Sequence, residues 1–297
     1  MKHTMFLLIV GALAMALPRL PASLAASNKD KNYREKDEFR KTFELKPGAR
    51  VEVSSIRGAV EIETADVSTA EVYIVRSAEN RADLESYRID VEGEPGSLII
   101  RGETRERRSG SGMNPDVQHW VKLKLPRQVN VSVQSVSGAV KTGDVTGKVA
   151  MSSVSGAVTV GAASQVDISS VSGSVTLGSV NQGVNIKNVS GNVKLEQSSG
   201  SVTVSSVSGG VSAAISKLGE RGMDIKTVSG RVDLRFKGQV NARLSTNSIT
   251  GQLLLEIPNV TVQSRSNNST VRALIGSGGP QISISSVSND VRLATGS

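Results

Sequence analysis

The ten residues VDISSVSGSV, 166–175, recur along this chain with small changes. Aligned on them, copies begin at Val131, Val149, Val166, Val184, Val202, Met223, Leu244, Val262 and Ile282, spaced 17–21 residues apart. A tenth, VEVSSIRGAV, stands apart at Val51. Self-similarity at a short fixed period signals a repeat architecture, in which one unit cannot bury its apolar face alone and must stack on its neighbours.

Each position of the unit has a physical reason. Positions 1 and 3 are aliphatic with a polar residue between them, so they share one face of a strand. Position 6 is Val or Ile in nearly every copy, and position 10 opens a second aliphatic pair such as Val175 and Leu177. Position 8 is glycine at Gly138, Gly156, Gly173, Gly191, Gly209, Gly230 and Gly251, with Asn289 in the last copy. These are the residues that accept a left-handed corner. A weaker half-repeat lies between the strong ones, since Gly147 follows Gly138 by nine residues and Gly200 follows Gly191 by nine.

One period thus holds two strands and two corners. The expected fold is all-β: a single-stranded parallel β-solenoid, or β-helix, of about nine or more coils. Each coil rests about 4.8 Å above the last, giving a rod of roughly 40 Å, with Val, Ile and Leu in continuous columns inside. A meander, sandwich or barrel of hairpins is the competing arrangement, but it would make successive nine-residue units equivalent rather than alternately strong and weak.

Residues 27–130 read as a charge-rich β segment forming an N-terminal cap and early coils, with a separate small β domain as the alternative. Strands are expected near 50–54, 59–63, 71–76, 87–92, 97–101 and 117–125, and a short helix within AENRADLESY. Residues 131–297 form the repeat region. The C-terminal coil has no comparable cap, so its edge, marked by Asp290 and Arg292, is expected to be protected by end-to-end self-association or a partner.

Residues 1–26 have the order of a secretory signal peptide: Lys2, an apolar stretch over 5–17, then Ser23, Ala25 and Ala26. Cleavage after Ala25 or Ala26 would leave 33 basic and 27 acidic residues, a net charge of +6. The chain has no cysteine, which rules out a lipobox anchor and a disulfide framework. With only 3% aromatic residues it lacks stacking platforms for single-stranded nucleic acid, so no nucleic-acid partner is expected. The expected location is exported: periplasmic, cell-surface or secreted.

Catalytic chemistry finds little support. At position 2 the acids Asp167 and Asp224 fall three coils apart, about 14 Å by the stacking distance, too far for the paired carboxylates of a glycosidase. The second-strand ladder, read in sequence order, sets Asp233 between Ser212 and Leu254 and carries Arg272. Too few threonines stand in it for an ice-binding face. His119 is the single histidine outside the signal segment, and no catalytic residue, metal or cofactor is expected. Candidate contact loops are the basic stretch with Arg105, Arg107 and Arg108, the excursion with Lys217 and Arg221, and residues 276–280.

FELKPGARVEVSSIRGAVEIET from Phe43, VKLKLPRQVNVSVQSVSGAV from Val121, and the serial VSG units resemble the bacterial "putative adhesin" domain family. That group consists of β-solenoid domains of unknown function related to GIN-type adhesin heads. The resemblance implies an exported envelope protein without established enzymatic activity. The expected role is contact with an envelope glycan or a protein surface, alongside the end-to-end self-association expected of the C-terminal coil. A carbohydrate-active β-helix enzyme and an envelope stress or signalling accessory are the alternatives.

Overall fold

The computed structural model describes residues 33–104, 117–266, 270–288 and 290–296. The signal segment, Arg105, Arg107, Arg108, Asn289 and residues 267–269 lie outside the described residues. What is described is all-β apart from one short helix, Arg81–Ser86, whose cap Asn80 accepts the Asp83 N–H at 2.9 Å.

Period-two alternation makes the strands. Along Ala163–Ser172, Val166 and Ile168 are buried while Asp167 and Ser169 face outward. Val166 pairs in parallel with Val149 on one side and Val184 on the other. The same in-register pairing runs through Val131, Val149, Val166, Val184, Val202 and Met223. Beyond the corner the second strands repeat it through Val140, Val158, Val175, Val193, Val211 and Val232. A shorter third side is tied by backbone bonds such as Val145 N–H to the Ala162 carbonyl, 2.8 Å, and Ser199 N–H to that of Val180, 3.0 Å.

Hydrogen bonds between rungs saturate the backbone, so equivalent inward side chains fall into columns. Position 1 of every rung from Val131 to Met223 is at most 4% exposed, and position 3 likewise. Each such side chain contributes about 1.5–3 kcal/mol by leaving water. The corners need glycine twice over. At Gly173 φ is 139°, and a Cβ there would stand 2.0 Å from the Gly156 carbonyl oxygen below. The corner glycines from Gly138 to Gly251 share this conformation, with φ of 100–145°.

The copy at Val51 is not apart in space. Ala49–Ala65 lies against the first rung, Val51 beside Val131 and Val60 beside Val140. Ser97–Thr104 and Val117–Pro126 run parallel to its two halves on the other side. From there pairing turns antiparallel: Tyr87–Glu94 on Ser97–Thr104, and Thr69–Ala78 then Glu35–Glu44 on Val117–Pro126. The outermost strand, EKDEFRKTFE, was not among those expected, because it lacks apolar alternation. Its charges suit an edge that must not recruit another chain.

After Met223 the rungs depart from sequence order. Met223 pairs not with Leu244 but with Ile282, and Leu244 pairs with Ile282 from the far side, all in parallel. The second strands do the same in the order Val232, Val291, Leu253. The chain skips a slot, builds the rung beyond it, and returns to fill the gap. Nine coils in sequence order are therefore corrected. The Val262 copy makes no parallel rung: Val260–Arg265 and Val271–Ile275 form an antiparallel hairpin whose second strand pairs with Ala242–Thr250. That hairpin satisfies the edge the skipped order leaves open.

Two further expectations fall with it. The C-terminal coil is flanked on both sides, so its edge is not available for end-to-end self-association. The Asp290 carbonyl accepts the Val232 N–H at 3.1 Å, and Arg292 bonds Glu256 at 2.6 Å. In the second-strand ladder Asp233 stands between Ser212 and Arg292 rather than Ser212 and Leu254, while Arg272 lies opposite Ser245.

Candidate functional site

The alternation that buries positions 1 and 3 also buries position 5 and turns positions 4 and 6 outward. Val136, Val154, Val171, Val189, Val207, Val228 and Val287 are accordingly 43–55% exposed. The expectation that the unit's aliphatic residues all line the interior is corrected at position 6: strand parity overrides the preference of valine for burial. Register sets these valines in one column, since the residues on either side of each pair directly across the rungs. Six steps of ~4.8 Å make a ridge about 29 Å long.

Beside the ridge runs a groove of about 840 Å³. Its far wall is position 4, which carries Ser152, Ser169, Lys187, Ser205, Lys226 and Ser285 in rung order, and the valines form its near wall. The strand between them carries position 5, whose small polar side chains are buried beneath: Ser153, Ser170, Asn188, Ser206, Thr227 and Ser286 are 3–6% exposed. In three rungs the position-5 side chain fastens the strand to its own corner. Ser135 Oγ donates to the Ser137 carbonyl at 3.2 Å, Ser248 Oγ to that of Thr250 at 2.9 Å, and Asn188 Nδ2 to that of Gly191 at 2.8 Å.

Charge on this face is sparse. Lys226 pairs with Asp224 at 3.0 Å, and Asp167 accepts from Asn185 Nδ2 at 3.1 Å. Lys187 projects into solvent from the groove wall. The groove thus offers an apolar ridge, hydroxyls and two ammonium groups, an inventory that can hold a surface, and no carboxylate or imidazole is among its lining residues.

The residues singled out from sequence lie elsewhere. Asp167 and Asp224 are separated by the rungs of Asn185 and Thr203, so the carboxylates do not meet. Lys217 and Arg221 are exposed but line no part of the groove. His119 is buried near the N-terminal end, its Nδ1 donating to the Arg57 carbonyl at 2.8 Å and its ring 4.4 Å from that of Tyr87. Burial, then the charges of Arg76 and Arg57, push its pKa down to about 4 against the opposing carbonyl bond. Among the described residues no group of three or more His, Asp or Glu side chains gathers as a metal site would require. No described helix is long and apolar enough to cross a membrane.

No curated protein matches this chain. Similar solved structures include a "putative adhesin" from Bacteroides fragilis, with 9% identity over 86% of this chain and 97% of that one and a TM-score of 0.47. Another is a "putative cell adhesion protein" from Clostridium sporogenes, with 9% identity over 88% and 100% and a TM-score of 0.31. A "putative lipid binding protein" from Parabacteroides distasonis has 13% identity over 86% and 96% and a TM-score of 0.27. Residues 49–294 match the Toastrack DUF4097 family, and the chain belongs to it, in keeping with the adhesin-type resemblance carried by its VSG units.

Proposed function

We propose that this chain is an exported, non-catalytic β-solenoid that works by contact at the bacterial cell envelope, as an adhesin-like or structural module. Its working face is the valine ridge and the adjoining groove. The observation that carries this reading is the ridge itself: seven half-exposed valines in consecutive rungs, a contiguous apolar strip of the kind that marks an interaction surface rather than scattered exposure. The signal-like segment at 1–26 supports export. The separation of Asp167 from Asp224 and the burial of His119 support binding without turnover.

The test is to present the secreted chain to a glycan array and to immobilised envelope protein while assaying reducing-end release. Binding without release is expected, weakened by Val171→Asp with Val189→Asp. Release of reducing ends, or binding indifferent to these substitutions, overturns the reading. N-terminal sequencing of the exported protein should place its first residue just after Ala25 or Ala26.

A further inference from the structure

We infer that the face just described is occupied by a second copy of this chain, packed side by side; the inference rests on the reading of that face as a contact surface and names its partner. Three observations carry it. The first is shape. The ridge at position 6 and the groove between positions 4 and 6 are parallel, adjacent and span nearly the same rungs. A two-fold axis parallel to the stack sets each copy's ridge into the other's groove, whereas an axis across the stack would set ridge against ridge. The surface is thus complementary to itself in one orientation, with the two stacks parallel and each rung facing its own equivalent.

The second observation is period. An apolar ladder repeating every ~4.8 Å is matched along its whole length by another surface of that same spacing, and identical β-branched side chains in register interdigitate into dry seams. The third is charge. In the ridge-in-groove arrangement the position-4 row, with Lys187 and Lys226, lies outside the partner's ridge. There it meets position 7, which is serine in every one of these rungs: Ser137, Ser155, Ser172, Ser190, Ser208, Ser229 and Ser288. The lysines of the two copies stay on opposite margins, so no like charges are brought together and the lysines face hydroxyls.

The size of the strip sets the strength. A length of about 29 Å and a width of about four residues at ~3.3 Å give a projected area of roughly 400 Å² per copy. That falls among weak, reversible interfaces, below the ~1,200 Å² total of stable ones. A weak, reversible association is expected, suited to copies already crowded on one surface.

The experiment uses the full exported chain. Sedimentation equilibrium from low micromolar to submillimolar concentration should show a reversible monomer–dimer equilibrium. The double variant Val171→Ser with Val189→Ser should raise the dissociation constant at least tenfold, and Val171→Asp should abolish dimer formation, with circular dichroism and melting temperature checking that both fold. Because the chain has no cysteine, single-cysteine variants report orientation. Val154→Cys, Val189→Cys and Val228→Cys should each be crosslinked to themselves by a short bismaleimide, to similar extents. Crosslinking at the central position alone would mean antiparallel stacks and overturn the arrangement. A monomer at all concentrations, a dimer indifferent to the valine substitutions, or a small apolar molecule found in the groove of a monomer by native mass spectrometry overturns the second copy as occupant. Loss of glycan or protein binding in the same variants would leave the contact-surface reading standing.

Discussion

Ile168 and Val171 sit three residues apart on one strand and lead opposite lives. Ile168 is fully buried, and its column, from Val133 through Met151, Ile168, Ile186, Val204 and Ile225, is at most 4% exposed. Val171 is 51% exposed, and its equivalents range from 43% to 55%. The two columns are of similar chemistry and repeat with the same period, yet only the inner one holds rungs together by excluding water. On the function proposed above, the outer column is kept for contact rather than for stability.

That contrast can be broken at several points. The largest effect should come at the corner just past both columns: Gly173→Ala forces a Cβ against the Gly156 carbonyl at 2.0 Å with φ at 139° and should cost about 4 kcal/mol in urea unfolding. Ile168→Ala, inside, should cost about 3–4 kcal/mol through lost burial and the cavity left behind.

Next is a test by pH of a polar group in the interior. His119 has a folded pKa of about 4, below the ~6.5 of an unfolded chain. Its share of stability is therefore complete above about pH 6.5, declines as the pH falls, and is gone below about 4, a loss of about 3 kcal/mol that His119→Gln should flatten. The smallest effect is the sharpest: Val171→Ser, outside, should change stability by no more than about 0.5 kcal/mol while weakening association. A loss comparable to that of Ile168→Ala would place Val171 in the core after all.

Much of this was legible in the residues. Alternation at positions 1 and 3 gave the inner columns, and the glycines gave the corners. Strict parity counted from position 1 would also have turned position 6 outward; reading valine as core by its hydrophobicity obscured that. The order of the last rungs was not legible, because copies at Met223, Leu244 and Ile282 present near-identical edges, and nothing in a strand's own residues says which like edge it will join. The hairpin at 260–275 left a trace, since the Val262 copy lacks the glycine corner. The strand at Glu35–Glu44 left only Phe39 and Phe43 among its charges, too little apolar surface for alternation to reveal it.

The skipped slot bears on how the molecule is made. Residues 281–296 are synthesised after both of their neighbours, yet they sit between them. A ribosome or translocon delivering this chain therefore cannot finish it by simple winding, because the final segment must thread into a berth already framed on either side. A message cut short before residue 281 would leave a fissure in the body of the stack and not merely a shorter stack, two raw edges where ordinary truncation leaves one. Such a product should be conspicuous to proteases.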